Sequence, residues 1–220
     1  MSLKEKHLVK CMNCGKNFEI NEWNSINVEE IPELREQVLK GDIFKFTCEH
    51  CKETHNIIYN CLYYDKTNKF MIQLMPGFKA DEYIFSQEEE QFIKTFGNNI
   101  YRLTSDYISF LEKVRILTEG LNDKALEICK TVAFSSYTLE HPDTLPENAF
   151  YVRLEDNNII FQLMINSDKA EFVKLPIEFY KKVENKLNFH ELAKERISMQ
   201  KIDINWAFSE RVANFLKDIK

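Results

Sequence analysis

The sequence predicts an α+β fold, and three observations carry that prediction. Apolar residues gather into two strand pairs around polar turns, 56–64 with 70–75 and 150–154 with 159–164. Between and after these pairs run segments with helical apolar spacing and cap residues at their ends. Two short cysteine pairs, Cys11-Met12-Asn13-Cys14 and Cys48-Glu49-His50-Cys51, stand beside the earliest strand-like segments. Composition agrees with a packed interior: 17 Phe and 9 Tyr against 5 Gly and 5 Pro describe a ring-rich core and exclude disorder. A chain of 220 residues suits one large domain or two small ones.

Residues 8–20 read as a strand, a tight turn carrying Cys11 and Cys14, and a second short strand. Gly15 follows Cys14 directly, where a left-handed backbone lets N–H groups turn toward the sulfurs. Trp23–Val28 continues as an extended segment. Pro32 and the acidic residues before Leu34 then start a helix over about 32–40, with Leu34, Val38 and Leu39 as its stripe and Gly41 as its stop. Ile43–Thr47 alternates as a strand that delivers Cys48. After Cys51 the chain returns through Asn56–Tyr64, turns at Asp65–Lys69, and runs back through Phe70–Met75.

Ser86 is placed to cap a helix over 87–96 that stops at Gly97. From Ile100, the positions Leu103, Tyr107, Phe110, Leu111, Val114 and Leu117 recur at helical spacing as far as Gly120. Asn122 or Asp123 caps another helix, in which Cys129 is expected as a buried structural thiol. His141–Pro146 is the best turn or linker, and the hairpin 150–164 follows it. Pro176 opens a helix through Phe179, Val183 and Leu187, and residues 191–199 are expected to be helical. Ile202–Trp206 reads as a short strand, and Ser209 caps a last helix with Val212, Phe215 and Leu216.

Charge excludes one class of partner. Residues 1–80 hold 11 basic and 11 acidic side chains, and the whole net charge of −6 lies in the remainder. Neither part has the basic surplus that draws a protein to phosphates, so nucleic acid is not expected as a partner. No run of about 18 apolar residues suggests a membrane span, and the N-terminal residues lack the apolar run of a secretory signal. The expected location is the cytoplasm. Thiols stay reduced there, so paired cysteines read as metal ligands.

Cys11, Cys14, Cys48 and Cys51 have the spacing of a four-thiolate site, and structural Zn2+ is the expected ion. A rubredoxin-like iron electron carrier is the alternative. Lys52, where a second glycine would stand, and the 33 residues between Cys14 and Cys48 count against it. With four thiols at hand, His50 and His55 are expected outside the ligand set, and Cys61 as a core residue. A closed four-cysteine site leaves no coordination position for a substrate. The sequence also shows no glycine-rich phosphate loop, nucleophile elbow or His-Glu-x-x-His. No catalytic residue is therefore assigned, and the expectation leans away from an enzyme toward a module for protein interaction or homo-oligomerisation. A nucleic-acid-binding ribbon is a further alternative, opposed by the charge.

The order of these features resembles the CpXC domain family, a group of prokaryotic proteins named for two such cysteine pairs. The resemblance rests on Cys11–Cys14, Phe18, Trp23–Asn27, Ile31–Leu34, Gly41–Phe44, Phe46–Cys51, Tyr63–Asp65 and Lys69–Met71. It covers about residues 8–78 and extends to about 120. Met12 and Glu49 replace the proline usual after the first cysteine of each pair. The resemblance implies a fold and a metal, and no activity. On this reading residues 1–78 form a zinc-ribbon-like module with an inserted helix. Residues 79–220 form an α+β region with helices over 87–134, a hairpin over 150–164 and helices over 176–219.

Overall fold

The structure is a computed structural model, and it describes residues 1–79, 86–88, 91, 95, 99–194 and 202–217. It is a mixture of helices and sheets, as expected, in two compact units that divide between Arg115 and Ile116.

In the first unit the strands are β1 (Leu3–Lys10), β2 (Asn17–Asn27), β3 (Lys45–Thr47), β4 (Thr54–Asn56), β5 (Cys61–Asp65), β6 (Phe70–Leu74) and β7 (Ile100–Thr104). Five of them form one sheet in the order β1-β2-β5-β6-β7, while β3 and β4 form a separate hairpin. The large sheet is mixed: β1/β2 and β5/β6 are antiparallel, β2/β5 and β6/β7 parallel. Helix α1 (Glu33–Leu39) turns Leu34 and Val38 inward. It ends at Gly41, whose φ of 69° is left-handed and whose added Cβ would stand 3.3 Å from both Leu111 and Tyr107.

Rings fill the space beneath. Phe44 packs against Tyr59 at 5.1 Å, Tyr107 at 5.7 Å and Phe110 at 6.1 Å, and Tyr63 stacks on Phe70 at 5.7 Å. The Tyr59 hydroxyl donates to the Ile43 carbonyl at 2.9 Å and accepts from the Trp23 amide at 3.3 Å, so this ring satisfies polar groups on two neighbouring segments. Asp65 is fully buried. It accepts from Arg35 Nη2 at 2.9 Å, from the Asn68 amide at 3.0 Å and from Asn68 Nδ2 at 2.9 Å, which pins α1 to the β5–β6 turn.

Three expectations change in this unit. Ile100–Thr104, expected as the start of a helix, is β7, and helix α2 begins only at Tyr107 and runs to Thr118. Phe70–Leu74 takes it up as a parallel partner, and a ladder of backbone bonds outweighs local periodicity. Ile43–Thr47 is half a 3-10 turn, Asp42–Phe44, before β3 begins. Asn56–Tyr64 is not one strand but the end of β4 and the start of β5. The helix expected over 87–96 lies mostly outside the described residues.

In the second unit α3 (Asp123–Glu140) starts at Asn122, whose side chain accepts from the amides of Lys124 and Ala125. It packs on an antiparallel sheet ordered β10-β9-β8, made from β8 (Asn148–Glu155), β9 (Asn158–Met164) and β10 (Ala170–Pro176). The β8–β9 turn places Asp156 and Asn157 at φ 49° and 60°, the two-residue hairpin geometry that suits these side chains. Helix α4 (Ile177–Asn188) follows Pro176 and buries Tyr180, Val183 and Leu187. Cys129 is buried in this core, as expected.

Here β10 is additional to the expected elements, and the segment expected as a strand at 202–206 is instead the short helix α5 (Ile204–Ala207). Asp203 caps it by accepting from the Trp206 amide at 3.0 Å. The last helix, α6 (Glu210–Lys217), buries Val212 and Phe215. Of the expected helix over 191–199, Glu191–Lys194 forms a 3-10 turn and the rest lies outside the described residues.

Candidate metal centre

Each cysteine pair sits in a loop that joins two antiparallel strands, Cys11 and Cys14 between β1 and β2, Cys48 and Cys51 between β3 and β4. The two loops are built alike. The amide of Cys11 donates to the Lys16 carbonyl at 2.9 Å and that of Gly15 to the Cys11 carbonyl at 2.9 Å. In the second loop the amide of Cys48 donates to the Glu53 carbonyl at 2.8 Å and that of Lys52 to the Cys48 carbonyl at 2.9 Å. Gly15 at φ 72° and Lys52 at φ 64° occupy the same left-handed position. Lys52 thus does the turning that glycine does in the first loop.

That equivalence gives a paired expectation. Lys52→Gly relieves a left-handed side-chain residue and raises stability by roughly 0.5–1 kcal/mol, while Gly15→Ala lowers it by about 1–2 kcal/mol. Only Lys10 Cε, 4.0 Å away, meets a Cβ at Gly15, so the cost there is backbone strain and not collision. Urea denaturation of both variants measures the two effects, and shifts of the same sign would contradict the equivalence of the loops.

The loops bring together all four cysteines singled out in the sequence, with their sulfurs within 4.8 Å of one another. Cys11 Sγ is 3.6 Å from Cys51 Sγ, and Cys14 Sγ is 3.9 Å from Cys48 Sγ. Sulfurs at the corners of a tetrahedron around an ion with bonds near 2.3 Å lie about 3.8 Å apart, so the spacing fits a tetrahedral four-thiolate site. Cys11 and Cys48 are buried, on a small core with Phe18 and Ile20, whereas Cys14 is exposed.

The electrostatics point the same way. The amides of Cys14 and Asn13, His55 and the Cys51 thiol favour the Cys11 thiolate over the burial that opposes it, bringing its pKa to about 6. The Lys16 amide favours the Cys14 thiolate, but partial loss of solvent around its sulfur and the three other sulfurs outweigh it and push that thiol up to about 11. Four thiols this close cannot all ionise on their own. A dication at their centre removes the conflict.

His55 Nε2 stands 3.2 Å from Cys11 Sγ, placed to hydrogen-bond that sulfur from outside the cluster of four. His50 Nε2 is 3.0 Å from the Asn17 carbonyl and donates to it, which ties the second loop to the start of β2. The specific role of His55 has no spacing signal in the sequence, because β4 pairing with β3 is what swings it toward Cys11. Cys61 is buried, and desolvation pushes its thiol up to about 12, which suits a core residue.

Fold and site together define an α+β protein whose clustered cysteines can hold a metal ion. A family model described as CpXC protein matches residues 9–130, more than half of the chain, and the protein belongs to the CpXC family. No curated protein and no solved structure matches it. None of the described helices is long and apolar enough to cross a membrane.

Proposed function

We propose that Cys11, Cys14, Cys48 and Cys51 bind one structural Zn2+ in a zinc-ribbon-like module of a cytoplasmic protein. The module's work is contact with a protein partner or a second copy of the chain, not catalysis. The observation that carries this reading is that two matching loops bring four sulfurs within 4.8 Å of one another, with separations of 3.6 and 3.9 Å across the loops. Such a site is coordinatively full, so the ion stabilises the fold and offers nothing to a substrate. By holding the β1–β2 loop against the β3–β4 loop it closes a small core that these short strands could not hold together alone. The interaction role is supported by apolar side chains left at the surface, among them Met12 at the tip of the first loop, 89% exposed, and Leu8 on β1, 71% exposed.

Elemental analysis of protein purified without added metal tests the reading. One zinc per chain and a colourless solution are expected. Visible absorbance that bleaches on reduction would favour four-thiolate iron instead. Metal-free protein with four freely titrating thiols in the two loops would overturn the proposal.

A further inference from the structure

We propose that the four-cysteine centre is an oxidation-sensitive switch whose sulfurs pair across the two loops, Cys14 with Cys48 and Cys51 with Cys11. This deepens the structural-zinc reading and rests on it. Three observations carry the inference. Cys14 is exposed and Cys51 half-buried, so each loop offers its second cysteine to a small oxidant, while Cys11 and Cys48 are buried behind them. Each accessible sulfur has a buried one across the gap, 3.9 Å from Cys14 to Cys48 and 3.6 Å from Cys51 to Cys11. Closing either distance to a bond asks each sulfur to move about 1 Å. Finally, the two loops are themselves held by backbone hydrogen bonds, which aim the sulfurs of each pair at a shared centre between the loops.

The oxidant is a peroxide, taken here as hydrogen peroxide. Cys14 gives up its proton and its sulfur attacks one peroxide oxygen, the O–O bond breaks, and hydroxide leaves and takes up a proton as water. Cys14 is now a sulfenic acid. The Cys48 thiolate attacks that sulfur, an S–S bond forms, and a second hydroxide leaves and is protonated. Two thiolates have lost two electrons in all, and one peroxide has become two waters. The same sequence at Cys51, resolved by Cys11 beside His55, consumes a second peroxide and leaves no thiolate to hold the ion. Both bonds join the loops to each other, across sequence separations of 34 and 40 residues, so the oxidised chain keeps the tie that the metal provided. Two pairings are rivals: Cys11 with Cys14 and Cys48 with Cys51 would let the loops part, and Cys11 with Cys48 and Cys14 with Cys51 would join two buried sulfurs to each other and leave the two accessible ones to pair.

The test uses the full chain as purified. Its metal content is measured first, which decides the zinc reading separately. Hydrogen peroxide is then added in the presence of a chromogenic zinc chelator, and non-reducing peptide mass spectrometry maps the sulfurs. Expected are Cys14–Cys48 and Cys11–Cys51 disulfides, one zinc released per two peroxides consumed, and reduced Cys61 and Cys129, both fully buried. The oxidised, metal-free chain should also melt at a higher temperature than the reduced, metal-free chain. Disulfides within each loop, the other cross-loop pairing of Cys11 with Cys48 and Cys14 with Cys51, or sulfinic acids in place of disulfides would overturn the proposal even in a protein that carries its zinc. In Cys51→Ser, Cys14–Cys48 should still form while Cys11 stays alkylatable, and a Cys11–Cys14 bond there would overturn it as well.

Discussion

On the proposed zinc reading, Cys48→Ser should abolish metal retention and cost several kcal/mol of stability. Cys48 is fully buried, at the head of a loop whose backbone is held by the Cys48 amide on the Glu53 carbonyl and the Lys52 amide on the Cys48 carbonyl. A serine hydroxyl stays protonated near neutral pH and is a poor replacement for a thiolate. The ion would then have three ligands in a site built for four. Structural zinc contributes on the order of 10–16 kcal/mol in small modules, and that binding energy is folding energy. The variant should therefore carry less than a tenth of the wild-type zinc. A chelator should lower the melting temperature of wild-type protein and leave that of Cys48→Ser unchanged. Cys61→Ser is the control, because it too places a hydroxyl in a buried site but far from any ligand role. It should cost about 1–3 kcal/mol and keep its zinc. Equal zinc loss in both variants would mean that general unfolding, not ligation, was being measured.

Arg35→Met should destabilise the first unit by about 3 kcal/mol. Removing one partner of a buried pair leaves the other charged and unpaired, which typically costs about 3–5 kcal/mol. Here Asp65 is the stranded group, since its carboxylate is fully buried and Arg35 is its cation at 2.9 Å. The lower end of the range applies for two reasons. The Arg35 side chain is 35% exposed, so part of its attraction is already screened, and Asn68 keeps two hydrogen bonds to the carboxylate. Pairing the change with Asp65→Asn should restore more than half of the loss, because a neutral amide needs no cation. Urea denaturation of the two single variants and the double variant measures this coupling. A cost below about 1 kcal/mol for Arg35→Met would show that Asn68 alone satisfies Asp65.

What could be read in advance follows the range of the interactions concerned. The cysteine pairs were legible because Cys-x-x-Cys ligation is set by a turn of a few residues, and the structure brings those four sulfurs together. The β5–β6 and β8–β9 hairpins were legible for the same reason, as was the Pro32 start of α1. Expectation and structure part at other segments, each for its own physical reason. Ile100–Thr104 carries apolar positions in step with α2, so helical periodicity ran on through a strand. All but the first of its side chains are buried, which erases the alternation that would have marked it. Ile202–Trp206 alternates like a strand, but the Asp203 side chain takes an amide bond that starts a helix. Ala170–Pro176 carries no clear strand pattern, since only one of its edges is paired and no residue in it is fully buried.

The sequence by itself determined the fold class, the four sulfurs and the loops that present them, since each depends on residues close together in the chain. Tertiary structure alone decided that β2 runs parallel to β5 and β6 parallel to β7, and that His55 meets Cys11. The physical reason is common to both. A parallel strand pair and a hydrogen bond across 44 residues are each stabilised by groups remote in sequence. Only when the chain has closed on itself do those groups exist as neighbours.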